Sequence, residues 1–152
     1  MKMAVVYSSK TGNTEELVQY LYELFLSQFV KVELYTVEQF RLNTLAEYDA
    51  VVIGTYTWGD GEIPPEMILL YEAFENQNVK YILTGVVGTG DRFYPHFCGA
   101  VDEFRDMLHV QTDLAVTLKV ELSPQQSDKE RCTKFVEIIL ERMKNKFSPT
   151  CV

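Results

Sequence analysis

Short, continuous runs of apolar residues recur along the chain, and stretches with a helical spacing of apolar residues separate them. The run at residues 3–7 has no charged position, as expected of a central strand that is buried on both faces. Residues 30–36 instead alternate between apolar and polar positions, which is typical of a strand nearer an edge. The pattern predicts five strands, at residues 3–7, 30–36, 50–54, 81–87 and 114–122.

Four helices are predicted between and after these strands. The first covers residues 13–28, and proline at the first turn favours a second helix start at Pro64 and Pro65. A capping box of Ser127 and Glu130 is predicted to open the last helix. Residues 37–45 are predicted to form a short helix or an irregular crossover. The apolar stripes are Leu17, Leu21, Leu24 and Phe25; Met67, Leu70, Tyr71 and Phe74; Phe97, Val101, Phe104 and Leu108; and Cys132, Phe135, Val136, Ile139, Leu140 and Met143.

Strands that alternate with helices indicate an α/β fold. We expect a doubly wound, five-stranded parallel sheet with helices on both faces. In such sheets, ligands bind beyond the carboxyl ends of the strands, where the strand order switches. The ends of the strands are therefore the place to look for a site.

Composition indicates an ordinary globular protein. The chain has 152 residues, of which 47% are hydrophobic and 24% charged, and we expect one domain over residues 1–152. The three cysteines are widely spaced, so free thiols in a reducing cytosol are expected, with neither a disulfide framework nor a metal site. The sequence contains no stretch as long as a membrane span and no secretory signal, which favours a cytoplasmic location.

The charge argues against nucleic acid and anionic membranes as partners, because the net charge is −8. The charge is also uneven. Residues 1–118 hold 7 Lys and Arg against 17 Asp and Glu, whereas residues 119–152 hold 7 against 5. The acidic part is the part that contains the candidate site.

Three predicted strands end in loops rich in glycine and hydroxyl side chains, after Tyr7, Gly54 and Val87. The first loop offers hydroxyl and backbone N–H donors before a helix, which suits a terminal phosphate; a solvated turn with a helix cap is the plain alternative. The second loop carries Trp58 and the third carries Tyr94. Two aromatic side chains beside a phosphate site could stack on both faces of a flat ring system.

These motifs together closely resemble a bacterial flavodoxin of the short-chain type. They are Ser-Lys-Thr-Gly-Asn-Thr at residues 9–14, Thr-Trp-Gly-Asp-Gly at residues 57–61, Gly-Thr-Gly-Asp at residues 88–91 with Tyr94, and Phe-Cys-Gly-Ala-Val-Asp at residues 97–102. The resemblance covers the whole chain in order. It implies the strand order 2-1-3-4-5, and flavodoxins are themselves a standard example of binding at the switch point.

The resemblance implies that the ligand is FMN. The phosphate would lie on the first loop, with Trp58 on the inner face of the isoalloxazine ring and Tyr94 on the outer face. Backbone groups in the second and third loops would bond the polar edge of the ring. The candidate cofactor-binding residues are Ser9, Lys10, Thr11, Gly12, Asn13, Thr14, Tyr56, Thr57, Trp58, Gly59, Asp60, Thr89, Gly90, Asp91, Tyr94, Phe97 and Cys98.

The resemblance further implies a monomeric, low-potential carrier of single electrons that uses the semiquinone/hydroquinone couple. A reductase would donate electrons and an oxidoreductase would accept them, each docking transiently at the flavin edge. The residues indicate no Ser-His-Asp or Cys-His set, so no catalytic residue is predicted. The alternative is a flavodoxin-like activator of a manganese ribonucleotide reductase. A receiver-type signalling module and a quinone reductase match the loops less well.

Four residues carry more specific hypotheses. In the family, a flip of the peptide at Gly59 and Asp60 stabilises the neutral semiquinone, and glycine permits such a flip. Lys10 stands where the family pattern usually has a small hydroxyl residue, and Arg92 follows the aspartate of the third loop. We expect at least one of these two cations to soften the negative field near the phosphate or the ring.

Overall fold

The sheet has five parallel strands in a computed structural model of the chain, which describes residues 1–147. The strand order is β2-β1-β3-β4-β5, and every neighbouring pair is parallel. The predicted fold class and strand order are therefore confirmed. The strands are β1 (Met3–Tyr7), β2 (Glu33–Thr36), β3 (Ala50–Thr55), β4 (Leu83–Gly90) and β5 (Asp113–Glu121).

Four α-helices cover the two faces of the sheet. Residues of α2 and α3 pack with one face, and residues of α1 and α4 pack with the other. The helices are α1 (Asn13–Ser27), α2 (Ile68–Asn76), α3 (Gly99–Gln111) and α4 (Lys129–Phe147). Among residues 1–147, no helix is both long enough and apolar enough to cross a bilayer.

The core lies on both sides of the central strands. All six residues of β3 are buried, and one phenylalanine from each helix, Phe25, Phe74, Phe104 and Phe135, is at most 1% exposed. Burial of one such side chain contributes roughly 1.5–3 kcal/mol. The helices are therefore held by their predicted apolar stripes. Leu140 is the exception in its stripe, since it is only partly buried.

The register of the strands brings their carboxyl ends to one edge. Tyr7 at the end of β1 pairs with Gly54 in β3, and Gly54 pairs with Val87 in β4. The chain leaves β1 and β3 at neighbouring points of this edge, on either side of the switch in strand order. The predicted convergence of the three loops follows from this register.

Several predicted bounds differ from the structure. Strand β2 begins at Glu33 and not at residue 30, and the crossover after it forms a short 3₁₀ helix at Leu42–Glu47. Strand β4 continues to Gly90, because Thr89 and Gly90 pair with Val120 and Glu121 of β5. Part of the predicted third loop is therefore the end of a strand.

The predicted capping box of Ser127 and Glu130 is wrong. A 3₁₀ turn at Gln126–Asp128 precedes α4, and the box is formed two residues earlier, by Gln125 and Asp128. The Gln125 N–H donates to Asp128 Oδ2 at 2.9 Å. Aspartate accepts here in place of the usual glutamate, so the usual pattern of Ser and Glu does not identify this pair.

Candidate functional site

A cleft of about 550 Å³ lies at the carboxyl ends of the strands. This size is in the range of cavities that hold small organic ligands. Three loops contribute to it, which follow β1, β3 and β4. The described residues that line it are Lys10, Thr11, Asn13, Tyr56, Thr57, Trp58, Gly59, Asp60, Gly61, Thr89, Gly90, Asp91, Tyr94, His96, Cys98 and Leu122.

The first loop leaves the N-terminus of α1 open. Gly12 is the N-cap residue with φ 96°, and its position supplies no side-chain cap hydrogen bond. No heavy atom lies within 4 Å of the place that a Cβ on Gly12 would take. The open N–H groups of a first helical turn attract anions. The donor set here therefore fits a phosphate group.

Two hydroxyl groups of the first loop are already engaged. Ser9 Oγ accepts a hydrogen bond from the Glu15 N–H at 3.2 Å, which ties the loop to the first turn of α1. Thr14 Oγ1 lies 2.7 Å from Thr89 Oγ1, and both side chains are buried. Ser9, Gly12 and Thr14 do not line the cleft, whereas Lys10, Thr11 and Asn13 do.

The second loop forms a small antiparallel turn that carries the tryptophan. Trp58 and Glu62 exchange N–H to C=O hydrogen bonds of 2.8 and 2.7 Å. Gly59 lies between them at φ 53°, and a Cβ there would lie 3.3 Å from Glu62 Oε1. The Trp58 side chain is 39% exposed and lines the cleft, with the ammonium group of Lys10 over one face of its ring.

The third loop presents the tyrosine. Asp91 orders its start, because Asp91 Oδ1 accepts from the Phe93 N–H at 2.9 Å and the Asp91 carbonyl accepts from the Tyr94 N–H at 3.1 Å. Tyr94 lines the cleft and is 62% exposed. The cleft thus has one large aromatic ring from each of two different loops.

The second and third loops pack closely against each other, and at Gly61 and Gly99 their backbones are in contact. A Cβ on Gly99 would lie 2.7 Å from the Cα of Gly61, a distance that real Cβ contacts do not reach. His96 Nε2 lies 3.6 Å from Asp60 Oδ1 across the same contact. The Ala100 N–H donates to Thr57 Oγ1 at 3.2 Å. The two loops therefore form one wall.

A carboxylate braces the first loop against the second. Glu66 Oε2 accepts hydrogen bonds from Ser8 Oγ at 2.6 Å and from the Tyr56 hydroxyl at 2.7 Å. Burial alone would raise the pKa of Glu66, but these two donors and the charge of Lys10 hold that pKa below its ordinary value. Glu66 is therefore an anion at neutral pH, and it fixes Ser8 at the start of the first loop.

Cys98 forms part of the floor of the cleft. The residue precedes α3 in a left-handed conformation, with φ 52°, and is 1% exposed. Burial raises the pKa of its thiol to about 11. Phe97 lies outside the cleft lining, and its ring packs below the Arg92 guanidinium at 4.4 Å. Cys151, the third cysteine, lies outside the described residues.

Three lining residues were not among the predicted site residues: Gly61, His96 and Leu122. Gly61 could have been predicted, because it flanks Asp60 together with Gly59 in the second loop. Leu122 follows β5, and its N–H donates to the Gly90 carbonyl at 2.8 Å. The rule that all parallel strands end at one edge predicts such a residue, but the chain there shows no glycine or hydroxyl pattern. His96 is brought in by the close approach of Gly61.

The two unusual cations behave differently. Lys10 lines the cleft, and its Nζ lies 4.2 Å from the centroid of the Trp58 ring. Arg92 does not line the cleft, and its Nε lies 3.7 Å from Glu121 Oε2. Only Lys10 places a positive charge within the candidate site.

Comparison with known proteins identifies relatives along most of the chain. The family model for flavodoxin matches residues 5–135. A probable flavodoxin 1 of Bacillus subtilis is 35% identical over 138 residues, which cover 88% of this chain and 87% of that protein. A flavodoxin of Maridesulfovibrio salexigens is 36% identical over 132 residues, which cover 84% of this chain and 90% of that protein.

A solved structure agrees with these sequence relatives. The crystal structure of oxidised flavodoxin 2 from Bacillus cereus superposes with a TM-score of 0.87 and 32% identity, over 93% of this chain and 99% of that one. The relatives give no support to the alternative of a ribonucleotide reductase activator.

Proposed function

The chain belongs to the flavodoxin family, and we propose that it carries single electrons at low potential on an FMN held non-covalently in this cleft. The observation that supports the proposal is the meeting of the three loops in one cleft, with Trp58 and Tyr94 on different loops. Bound FMN supplies the redox chemistry, since it accepts and releases electrons one at a time. The residues of the chain bind it and set the energies of its charge states.

The first loop would hold the phosphate end of the cofactor. The N–H groups at the N-terminus of α1 can donate to an anion, and the free space beside Gly12 leaves room for it. Lys10, Thr11 and Asn13 line the cleft at this end. Ser9 and Thr14 do not line the cleft and would support the phosphate site indirectly, because their hydroxyl groups fix the loop to α1 and to Thr89.

The second and third loops would hold the ring. Trp58 and Tyr94 offer aromatic faces, and aromatic pairs contribute roughly 0.5–1.5 kcal/mol beyond the burial of area. Backbone groups of Thr57, Gly59 and Gly90 lie along the cleft between them. Because Gly61 and Gly99 bring the two loops together, backbone packing would set the distance between the loops that carry Trp58 and Tyr94.

Two features of this chain would lower the potential of the second one-electron reduction of the flavin. Asp60 and Asp91 line the cleft, and their carboxylates disfavour added negative charge on the ring. Gly59 has a positive φ that leaves its peptide free to turn. We also infer that the protein turns over no substrate of its own, and that it works in the cytoplasm as a monomer.

We propose that a reductase and an oxidoreductase dock where the ring edge would be exposed. The rings of Phe93 and Tyr94 are exposed, and Tyr94 lines the same cleft as Asp60, whose side chain is 77% exposed. A basic partner surface fits this acidic rim.

A stepwise reduction of the purified protein after addition of FMN tests the proposal. We expect stoichiometric binding of the yellow cofactor and a blue, one-electron-reduced form before full bleaching, followed by absorption spectroscopy. The Tyr94→Ala variant should bind FMN more weakly, because one aromatic contact is lost. Protein that stays colourless in the presence of FMN would rule the proposal out.

A further inference from the structure

The side chain of Lys10 reaches from the first loop of the cleft to the second. Its backbone belongs to the first loop, directly after Ser9, while its Nζ lies 4.2 Å from the centroid of the Trp58 ring. A cation over an indole face is attracted by the ring electrons. Lys10 is also the one lysine or arginine among the described residues that line the cleft.

The groups around this ammonium are mainly negative. Asp60 and Asp91 line the same cleft, and the Glu66 carboxylate is close enough to Lys10 to feel its charge. Glu66 is committed to Ser8 and Tyr56, from which it accepts two short hydrogen bonds. Within residues 1–147, the ion pairs that form do not include Lys10.

An anion that enters the cleft therefore meets an acidic wall and a single cation. The N–H groups at the start of α1 donate hydrogen bonds but carry only about half a positive charge in total. A full positive charge on Lys10 therefore adds an attraction for the phosphate that the helix N-terminus alone does not supply.

We propose that Lys10 makes this cleft select a phosphorylated flavin over the same flavin without its phosphate. The inference rests on the proposed function and refines it, since the ligand class is FMN and the discriminated analogue is riboflavin. Lys10 acts through its charge on the phosphate end.

Substitution of Lys10 tests this with two flavins. Lys10→Met keeps most of the aliphatic chain and removes the charge, whereas Lys10→Arg keeps the charge. Lys129→Met is the matched control, because Lys129 Nζ lies 5.9 Å from the Tyr20 ring centroid, outside the cleft. Dissociation constants for FMN and riboflavin are measured by flavin fluorescence at low salt and in half-molar salt, after thermal unfolding has shown that each variant folds.

We expect Lys10→Met to weaken FMN binding about tenfold at low salt and to leave riboflavin binding within twofold. The loss should shrink in high salt, and Lys10→Arg and Lys129→Met should bind FMN as the unsubstituted protein does. Equal weakening of both flavins would assign Lys10 a packing role and overturn the inference, as would unchanged binding of both. If the unsubstituted protein binds neither flavin, the proposed function itself fails.

Discussion

At the scale of single residues, Gly59 makes the sharpest prediction. Its φ is 53°, and turning the peptide between Gly59 and Asp60 rotates ψ while φ stays positive. Outside the small left-handed region, positive φ is open essentially only to glycine. We therefore expect Gly59→Val to block the turn and to narrow the separation of the two one-electron potentials by roughly 40–130 mV, the equivalent of the 1–3 kcal/mol that a non-glycine residue costs in such a region.

Spectroelectrochemistry of the FMN-loaded variant measures both potentials. Gly59→Ala is the graded control, because alanine is less restricted at positive φ than a β-branched residue and adds less bulk near Glu62 Oε1, which would lie 3.3 Å from the new Cβ. Alanine should give a smaller effect than valine. Potentials that stay the same in both variants would show that the peptide does not turn during reduction.

The same scale shows what sequence reasoning reaches and what it misses. Trp58 and Tyr94 were identifiable because each follows a strand end within a distinctive motif, and both line the cleft. Thr14 and Ser9 were expected to face a ligand like their neighbours. Thr14 instead bonds Thr89, which is 75 residues away in sequence. The direction of a hydroxyl group depends on such tertiary partners, which a local motif does not contain.

At the scale of elements, the start of α4 carries the second prediction. The cap is formed by Gln125 and Asp128, and Ser127 lies inside the 3₁₀ turn without a capping role. Asp128→Ala removes the acceptor of the Gln125 N–H and the partner of Arg131, 3.1 Å away. We expect it to lower the free energy of unfolding by about 1 kcal/mol. Ser127→Ala, the matched control, should change it by less than about 0.5 kcal/mol.

Urea unfolding of the two variants under identical conditions measures the difference. Equal destabilisation by both substitutions would mean that Ser127 shares the cap, as the sequence pattern had suggested. A neutral Asp128→Ala would mean that α4 is held by its buried face alone, through Phe135 and Ile139.

Element boundaries illustrate why the fold was easier to predict than its details. The alternation of strands and helices was confirmed because it follows from burial on both faces of the sheet. The end of β4 was missed, because Gly88 and Gly90 have low strand propensity and belong to the strand only through pairing with Lys119 and Glu121. The late start of β2 at Glu33 has the same cause, since its pairing begins opposite Ala4.

At the scale of the whole molecule, charge governs which redox partners approach. The net charge is −8, and residues 1–118 hold 17 acidic against 7 basic side chains. The basic excess of residues 119–152 includes Lys129 and Arg131 at the start of α4 and residues that follow along that helix. Encounter at the acidic rim should therefore depend on the sign of the partner's charge, because exposed charges attract or repel at a range set by the ionic strength.

The prediction is that the FMN-loaded, reduced protein passes electrons to a cationic metal complex more slowly as salt is added, and to an anionic complex more quickly. Two complexes of similar potential separate this effect from driving force, and stopped-flow absorbance measures both rates.

Asp60→Asn should flatten both salt dependences, because the Asp60 side chain is 77% exposed at the rim. Asp49→Asn is the control, since Asp49 accepts a hydrogen bond from the Lys2 N–H before β3, at the opposite end of the strands. Equal slopes for the two complexes would show that charge at this rim does not steer the encounter.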